Sequence, residues 1–151
     1  MTLAPKPAHT PSALPDEPLA GNLVAQNFEG WTENIRKDFE NNAFNGRVGS
    51  RLLSESSRVR VWEIRLQPGE RVGAHRHVLD YFWTAVNAGA SRQHTSDGTT
   101  REVSYTPGET RHYTFRAGEF LLHDLENIGQ TELVFATVEF IDGNNTPLPI
   151  G

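Results

Sequence analysis

The pattern of hydrophobic and polar residues divides the chain into a short helical part and a long β-rich part. In the segment 28–40, large apolar residues recur at spacings of three and four, and charged residues fill the positions between them. The apolar members are Phe28, Trp31, Ile35 and Phe39. This is the period of a helix with one apolar face. It predicts a single short helix near residues 31–40 that packs against the main domain.

From about residue 47 onward, runs of β-branched and aromatic residues alternate with Gly, Pro, Asp and Asn, and the helical period is lost. This pattern is typical of an all-β sandwich or barrel. The Asp-Gly pair in the segment 96–99 predicts a type I′ hairpin turn between strands near 81–95 and 100–106. Both faces of the segment 132–140 are apolar, as in a strand that is covered on both sides. The sheet is therefore expected to be closed or doubly layered.

Length and composition indicate one domain preceded by an arm. The chain has 151 residues, enough for one domain with a sizeable core. Five of its nine prolines fall in the first 18 residues, where large apolar side chains are scarce. We therefore expect a disordered or draped N-terminal arm over residues 1–26 and a single domain over residues 27–151.

Charge and residue content exclude several classes of partner and chemistry. A net charge of -5 disfavours binding to nucleic acid or to an anionic membrane. The sequence lacks both a long apolar run and a secretory signal pattern, which predicts a cytoplasmic protein. Because the chain contains no cysteine, disulfides, thiolate metal sites and thiol nucleophiles are excluded. A bound metal would need His, Asp, Glu or Tyr ligands.

Two histidines one residue apart, His75 and His77, are the first candidates for metal ligands. In an extended strand, residues i and i+2 point to the same face, about 6.5 to 7 Å apart, and two imidazoles at that spacing can converge on one ion. The spacing by itself leaves the alternative of two polar residues on the solvent face of a sheet.

The residues around this pair resemble the first motif of the cupin superfamily. That motif reads glycine, five residues, His-x-His, three or four residues, glutamate, six residues and glycine. Gly69, His75, His77 and Gly89 match it. The glutamate position holds Tyr81 or Phe82, depending on the gap, and Asp80 is one residue short of it.

A second cupin motif resembles the segment from Gly108 to Asn127. Gly118 and His123 match its central positions, but two extra residues precede the Gly118 region and two follow it. We interpret the equal excesses as one lengthened antiparallel hairpin, because an even insertion keeps His123 on the same face.

The resemblance implies an all-β fold, a cupin-type antiparallel β-barrel (double-stranded β-helix or jelly roll, RmlC-like) with one short N-terminal helix and a core over residues 47–141. It also implies a divalent metal ion held by His75, His77 and His123. The glutamate ligand is either missing, which we favour, or replaced by Asp80 or Tyr81. Cupin relatives further suggest a homodimer.

Three neutral imidazoles without a carboxylate leave the ion its full charge and several open positions. Such a centre suits a small anionic or chelating substrate. Our first hypothesis is a non-haem Fe(II) dioxygenase that acts on a small organic acid or a chelating carbonyl compound. The alternatives are a Zn(II)- or Mn(II)-assisted lyase or isomerase and a non-catalytic cupin that binds a small molecule.

Other residues are candidates for the remaining roles. Tyr81 and His112 are predicted to act in catalysis, His112 as a general acid or base. Arg111 is predicted to pair with a substrate carboxylate, and Phe82 to lower the polarity of the cavity. Solvent-facing positions for His112 and Arg111 remain the alternative, and His94 is expected to be exposed.

Overall fold

The computed structural model describes residues 19–151, and this part of the chain forms ten β-strands and one helix. The elements are β1 (Asn22–Ala25), α1 (Glu33–Asn41), β2 (Arg51–Glu55), β3 (Val59–Leu66), β4 (Arg71–His77), β5 (Tyr81–Ala85), β6 (Gly89–His94), β7 (Thr100–Tyr105), β8 (Thr110–Tyr113), β9 (Leu121–Asn127) and β10 (Leu133–Phe140).

The strands form two five-stranded antiparallel sheets. The first sheet has the order β1-β7-β6-β9-β4, and the second has the order β2-β3-β10-β5-β8. Apolar residues from both sheets meet in one cluster that includes Ile64, Val103, Leu125 and Phe135. The prediction of an all-β barrel with one short N-terminal helix is confirmed.

Helix α1 lies on the outer face of the first sheet. Its N-terminus is capped by Thr32, whose Oγ1 accepts a hydrogen bond from the backbone of Ile35 at 3.2 Å. Phe39 is buried against Ala74 of β4 and Leu122 of β9. The apolar face that the sequence pattern predicted therefore packs on the main domain, behind strands β4 and β9.

The prediction of one strand over residues 81–95 is wrong, because this segment forms two strands that belong to different sheets. β5 lies in the second sheet and β6 in the first. The chain crosses between them just before Gly89, where a Cβ atom would lie 2.4 Å from Cδ2 of Leu133. Only glycine allows the backbone to approach Leu133 this closely.

The hairpin between β6 and β7 is present, but its turn is not of type I′. Gly98 has a φ of 88°, whereas Asp97 is not among the residues with positive φ. The Gly98 amide donates to the Thr95 carbonyl at 2.8 Å, and the Thr95 amide donates to the Thr99 carbonyl at 2.9 Å. This is the longer hairpin loop with one left-handed glycine.

The prediction of a lengthened hairpin before His123 is also wrong. β8 pairs with β5 in the second sheet, whereas β9 pairs with β4 and β6 in the first. The residues between β8 and β9 therefore cross from one sheet to the other. The direction of the His123 side chain depends on the pairing of β9 with β4.

The predicted N-terminal arm falls mostly outside the described residues. From Leu19 onward the chain belongs to the barrel, since Leu19 packs on a buried aromatic cluster and β1 pairs with β7. Residues 19–26 of the predicted arm are thus part of the described barrel.

A buried carboxyl group, that of Glu139, lies at one end of the barrel interior. Its side chain is 2% exposed, and it accepts a hydrogen bond from Nε1 of Trp62 at 2.8 Å. Burial raises the pKa of Glu139 to about 7, although the Trp62 hydrogen bond and the charge of Arg60 oppose the shift. The folded protein therefore holds the Glu139 proton up to a pH of about 7, higher than the unfolded chain does.

We predict that Glu139→Gln removes a pH-dependent loss of stability. Because the folded pKa lies above the ordinary value of 4.5, the penalty is absent below pH 4.5, grows between the two values and is complete above about pH 7. The free energy of unfolding of Glu139→Gln minus that of the wild type should therefore rise by about 2 to 3 kcal/mol when the pH is raised from 5 to 8.

Denaturant unfolding at both pH values measures this difference. Glu40→Gln is the matched control, since Glu40 is exposed on α1. The stability of this variant should change with pH as that of the wild type does. Parallel pH profiles for Glu139→Gln and the wild type would contradict the assignment.

Candidate metal centre

Three histidines converge inside the barrel. His75 and His77 project from β4 and His123 from β9, with His75 directly opposite His123 in the strand pairing. Each offers one ligand atom, and these three atoms lie within 4.8 Å of one another. The ring centroids are 4.8 to 5.1 Å apart. The structure therefore brings together the three residues that the cupin resemblance named as metal ligands.

An irregularity in β4 determines which way these histidines face. Val72 pairs with Leu125, and His75 pairs with His123, so β4 has one more residue than β9 between the two pairs. Side-chain direction alternates along a strand, and one extra residue reverses it. As a result Val72 and His75, three residues apart, both face the interior.

Helix α1 holds this bulge through Asp38. Its Oδ2 accepts a hydrogen bond from the Ala74 amide at 2.8 Å and another from Nη2 of Arg71 at 2.7 Å. A Cβ atom at Gly73 would lie 3.2 Å from the same oxygen, so glycine leaves room for the carboxylate. The Ala74 amide, which the bulge removes from the strand ladder, thus finds its acceptor in the Asp38 side chain of the helix.

In two of the histidines, Nδ1 faces an oxygen atom that can accept a hydrogen bond. Nδ1 of His75 is 2.8 Å from the Gly73 carbonyl, and an oxygen that can only accept requires the proton to be on Nδ1. Nδ1 of His123 is 3.0 Å from Oε1 of Gln93. In both rings the proton on Nδ1 leaves the Nε2 lone pair for an ion, which is the arrangement seen in metal-binding histidines.

The third ring, His77, is stacked on Tyr81 with centroids 4.0 Å apart and planes 12° apart. Its Nδ1 is buried and has no hydrogen-bond partner among the described residues. A buried polar atom without a partner is costly. The donor set fits a divalent ion, since it consists of three imidazole nitrogens that converge.

Burial keeps the three imidazoles neutral. It lowers the pKa of His75 and holds the pKa of His77 and His123 well below the ordinary value of 6.5. The neighbouring imidazoles lower the pKa of His77 further. Neutral imidazole is the form that binds metal, so the three rings are ready to act as ligands at neutral pH.

The histidines line a cavity of about 40 Å³ between the two sheets, which is room for a few water molecules. Most of its wall is apolar. Its other polar side chains are those of Tyr81, Gln93, Tyr105, Tyr113 and Thr137. Among the lining residues in the described chain there is no Arg, Lys, Asp or Glu.

The position of the missing glutamate is occupied on the inside by Tyr81. Tyr81 is 3% exposed and lines the cavity. The Asp80 carboxylate instead accepts a hydrogen bond from the Phe115 amide at 2.8 Å. Within residues 19–151, no carboxylate joins the three-histidine group.

Phe82, Arg111 and His112 lie outside the cavity. The Phe82 ring contacts His112 on the outer face of the second sheet, with centroids 5.3 Å apart. Arg111 is exposed and lies 3.7 Å from the Glu109 carboxylate. Tyr113 faces the interior, so the neighbouring His112 and its strand partner Phe82 face outward, and Arg111 does not line the cavity. The roles predicted for these three residues conflict with their placement.

His94 is buried, which corrects the prediction that it is exposed. Its Nδ1 lies 2.9 Å from Oδ2 of Asp124, and its amide donates to Oδ1 of the same residue at 2.6 Å. Asp124 is fully buried and accepts a further hydrogen bond from Arg71 at 2.9 Å. As expected from alternation, Asp124 points away from His123, but it lies beneath α1 and not in solvent.

Gln93 and Tyr105 are cavity residues that the sequence analysis missed. Gln93 lies between the outward-facing Arg92 and His94, so its inward direction follows from strand alternation. Alternation alone does not show which face of β6 lines the cavity. That depends on the position of β6 in the first sheet.

Solved structures contain the same architecture. A cupin domain from Bordetella pertussis Tohama I aligns with a TM-score of 0.52 and 29% identity, over 60% of this chain and 88% of that chain. The described part of this chain has the cupin fold. The comparisons with protein-family models and with curated proteins give no match.

Two further cupin-like structures align less closely. A protein with a double-stranded β-helix domain from Klebsiella pneumoniae has a TM-score of 0.47 and 20% identity, over 66% of this chain and 76% of that chain. Oxalate decarboxylase from Bacillus subtilis has a TM-score of 0.45 and 25% identity, over 60% of this chain and 23% of the decarboxylase. Similarity at this level does not extend to the reaction.

The helix in the described part of this chain is not long and apolar enough to cross a membrane.

We predict that Asp38→Ala destabilises the protein by about 1 to 3 kcal/mol, because the Ala74 amide and Arg71 each lose a hydrogen-bond acceptor. Denaturant unfolding measures the loss. Glu40→Ala is the control, because Glu40 is exposed on the same helix and carries the same charge. Equal stability of the two variants would show that the bulge does not depend on Asp38.

Proposed function

We propose that this chain is a small metal-dependent cupin enzyme, and that its reaction is an Fe(II)-dependent dioxygenation of a small organic acid or a chelating carbonyl compound. The observation that carries the proposal is the group of three neutral imidazoles, two buried and one half-buried, with no carboxylate among them. When bound, Fe(II) supplies the redox chemistry that dioxygen requires.

The electrostatics of the cavity support an anionic or chelating substrate. Three neutral ligands do not cancel the charge of a divalent ion, and the described wall contributes no positive side chain. A negative substrate would therefore be held by the ion and by neutral donors such as Tyr81 and Gln93. The apolar part of the wall excludes bulk water, which strengthens these interactions.

Proton-transfer groups are scarce in the cavity, which favours oxygen chemistry over lyase or isomerase chemistry. Apart from the three histidines, the titratable side chains of the described lining are tyrosines. Burial raises the pKa of Tyr105 to about 12, far above the value at which a general base works best near neutral pH. His112, the base that the sequence suggested, lies on the outer face.

We predict that the protein binds one divalent metal ion per chain and that His123→Ala lowers its metal content below stoichiometry. Mass spectrometric metal analysis after loading with Fe(II), Zn(II) or Mn(II) measures this. His112→Ala is the matched control, since it removes an exposed histidine and should retain the metal. If the wild type holds no stoichiometric metal, the proposed function is refuted.

For the reaction, we predict that the Fe(II)-loaded protein consumes oxygen when it is incubated with a substrate from a panel of 2-oxo acids and 1,3-diketones. Oxygen consumption should require both Fe(II) and the substrate. An oxygen electrode reports it. Turnover under argon with Zn(II) or Mn(II) would overturn the dioxygenase in favour of a lyase or isomerase. Tight binding without turnover, unaffected by a chelator, would indicate a binding protein.

A further inference from the structure

The carboxamide of Gln93 connects the metal ligand His123 to a buried hydrogen-bond chain. Gln93 extends from β6 into the cavity, and its Oε1 lies 3.0 Å from Nδ1 of His123. Its Nε2 donates to the hydroxyl of Tyr105 at 3.1 Å. That hydroxyl is 2.7 Å from Oγ of Ser91, which is fully buried. Four side chains thus form a continuous path from the ligand into the first sheet.

The direction of this chain decides which nitrogen of His123 is available. With Oε1 facing the ring, Nδ1 must carry the proton, and Nε2 keeps its lone pair for the ion. With the carboxamide turned over, Gln93 would donate to Nδ1, the proton would sit on Nε2, and the ligand atom would be blocked. The hydroxyls of Tyr105 and Ser91 can each donate or accept, so the chain accommodates both directions.

We propose that Gln93 is a positioning residue that holds His123 in its metal-binding tautomer, with the Tyr105 hydroxyl as the hydrogen-bond partner of its Nε2. The metal-binding part of this inference rests on the proposed function, whereas the tautomer is a property of the protein alone. In His75, the partner of Nδ1 is the backbone carbonyl of Gly73 and not a side chain. A carbonyl cannot turn over, so His123 is the ligand whose state depends on a side chain.

Two substitutions at Gln93 separate positioning from mere packing. Gln93→Leu keeps the approximate size of the side chain but removes the acceptor. Gln93→Glu replaces the carboxamide with a group of the same shape that only accepts when ionised, so it fixes the proton on Nδ1. Tyr105→Phe removes the hydrogen-bond partner of the Gln93 Nε2. Gln130→Leu is the control, since Gln130 is exposed.

The first measurement is the nitrogen NMR spectrum of the His123 ring in metal-free protein, which distinguishes the two tautomers. We expect the Nδ1–H form in the wild type, in Gln93→Glu and in Gln130→Leu. We expect its loss in Gln93→Leu and a mixture of both forms in Tyr105→Phe. Circular dichroism and thermal unfolding confirm that each variant is folded.

The second measurement is Zn(II) affinity by competition with a chelator. Loss of a ligand's hydrogen-bond partner weakens metal binding about 10- to 100-fold, and we expect a loss of this size in Gln93→Leu and its recovery in Gln93→Glu. An unchanged tautomer and unchanged affinity in folded Gln93→Leu would overturn the inference. Absence of Zn(II) binding in the wild type would refute the proposed metal centre, while the NMR spectra would still decide the role of Gln93.

Discussion

The bulge in β4, held by the carboxylate of Asp38, is the feature on which the candidate metal centre depends. It reverses the alternation of side chains between Val72 and His75, and so allows β4 to contribute apolar core at one end and ligands at the other. An amide outside the strand ladder needs another acceptor, and α1 supplies it at Ala74. The position of the helix and the direction of the ligands are therefore set by the same contact.

Charge is distributed differently on the two faces of the first sheet. The inner face presents neutral imidazoles, hydroxyls and a carboxamide to the cavity. On the outer face, Arg71 pairs with Asp38 and Asp124 beneath the helix, and His94 also contacts Asp124. Burying ions is costly unless they are paired, and here the pairing takes place behind the ligands. The cavity wall thus stays uncharged, so that a bound cation would be its dominant electrostatic feature.

Features that depend on local spacing could be predicted from the sequence. The helix follows from the period of its apolar residues, and the convergence of His75 and His77 follows from strand alternation. The positions of Phe82, Arg111 and His112 could not be predicted, because they depend on the pairing of β8 with β5 across the chain. Strand register and sheet membership are long-range properties, and an error in either reverses the face on which a side chain lies.

The contact between α1 and the bulge ties the site to a small peripheral element and not to the barrel as a whole. Local opening costs least free energy in elements with few buried apolar contacts, and Phe39 is the one buried residue of α1. Undocking of α1 would release the Ala74 amide and the backbone around Gly73, whose carbonyl orients His75. The geometry of the ligands can thus be lost while both sheets stay intact, so the local stability of the centre is that of its helix.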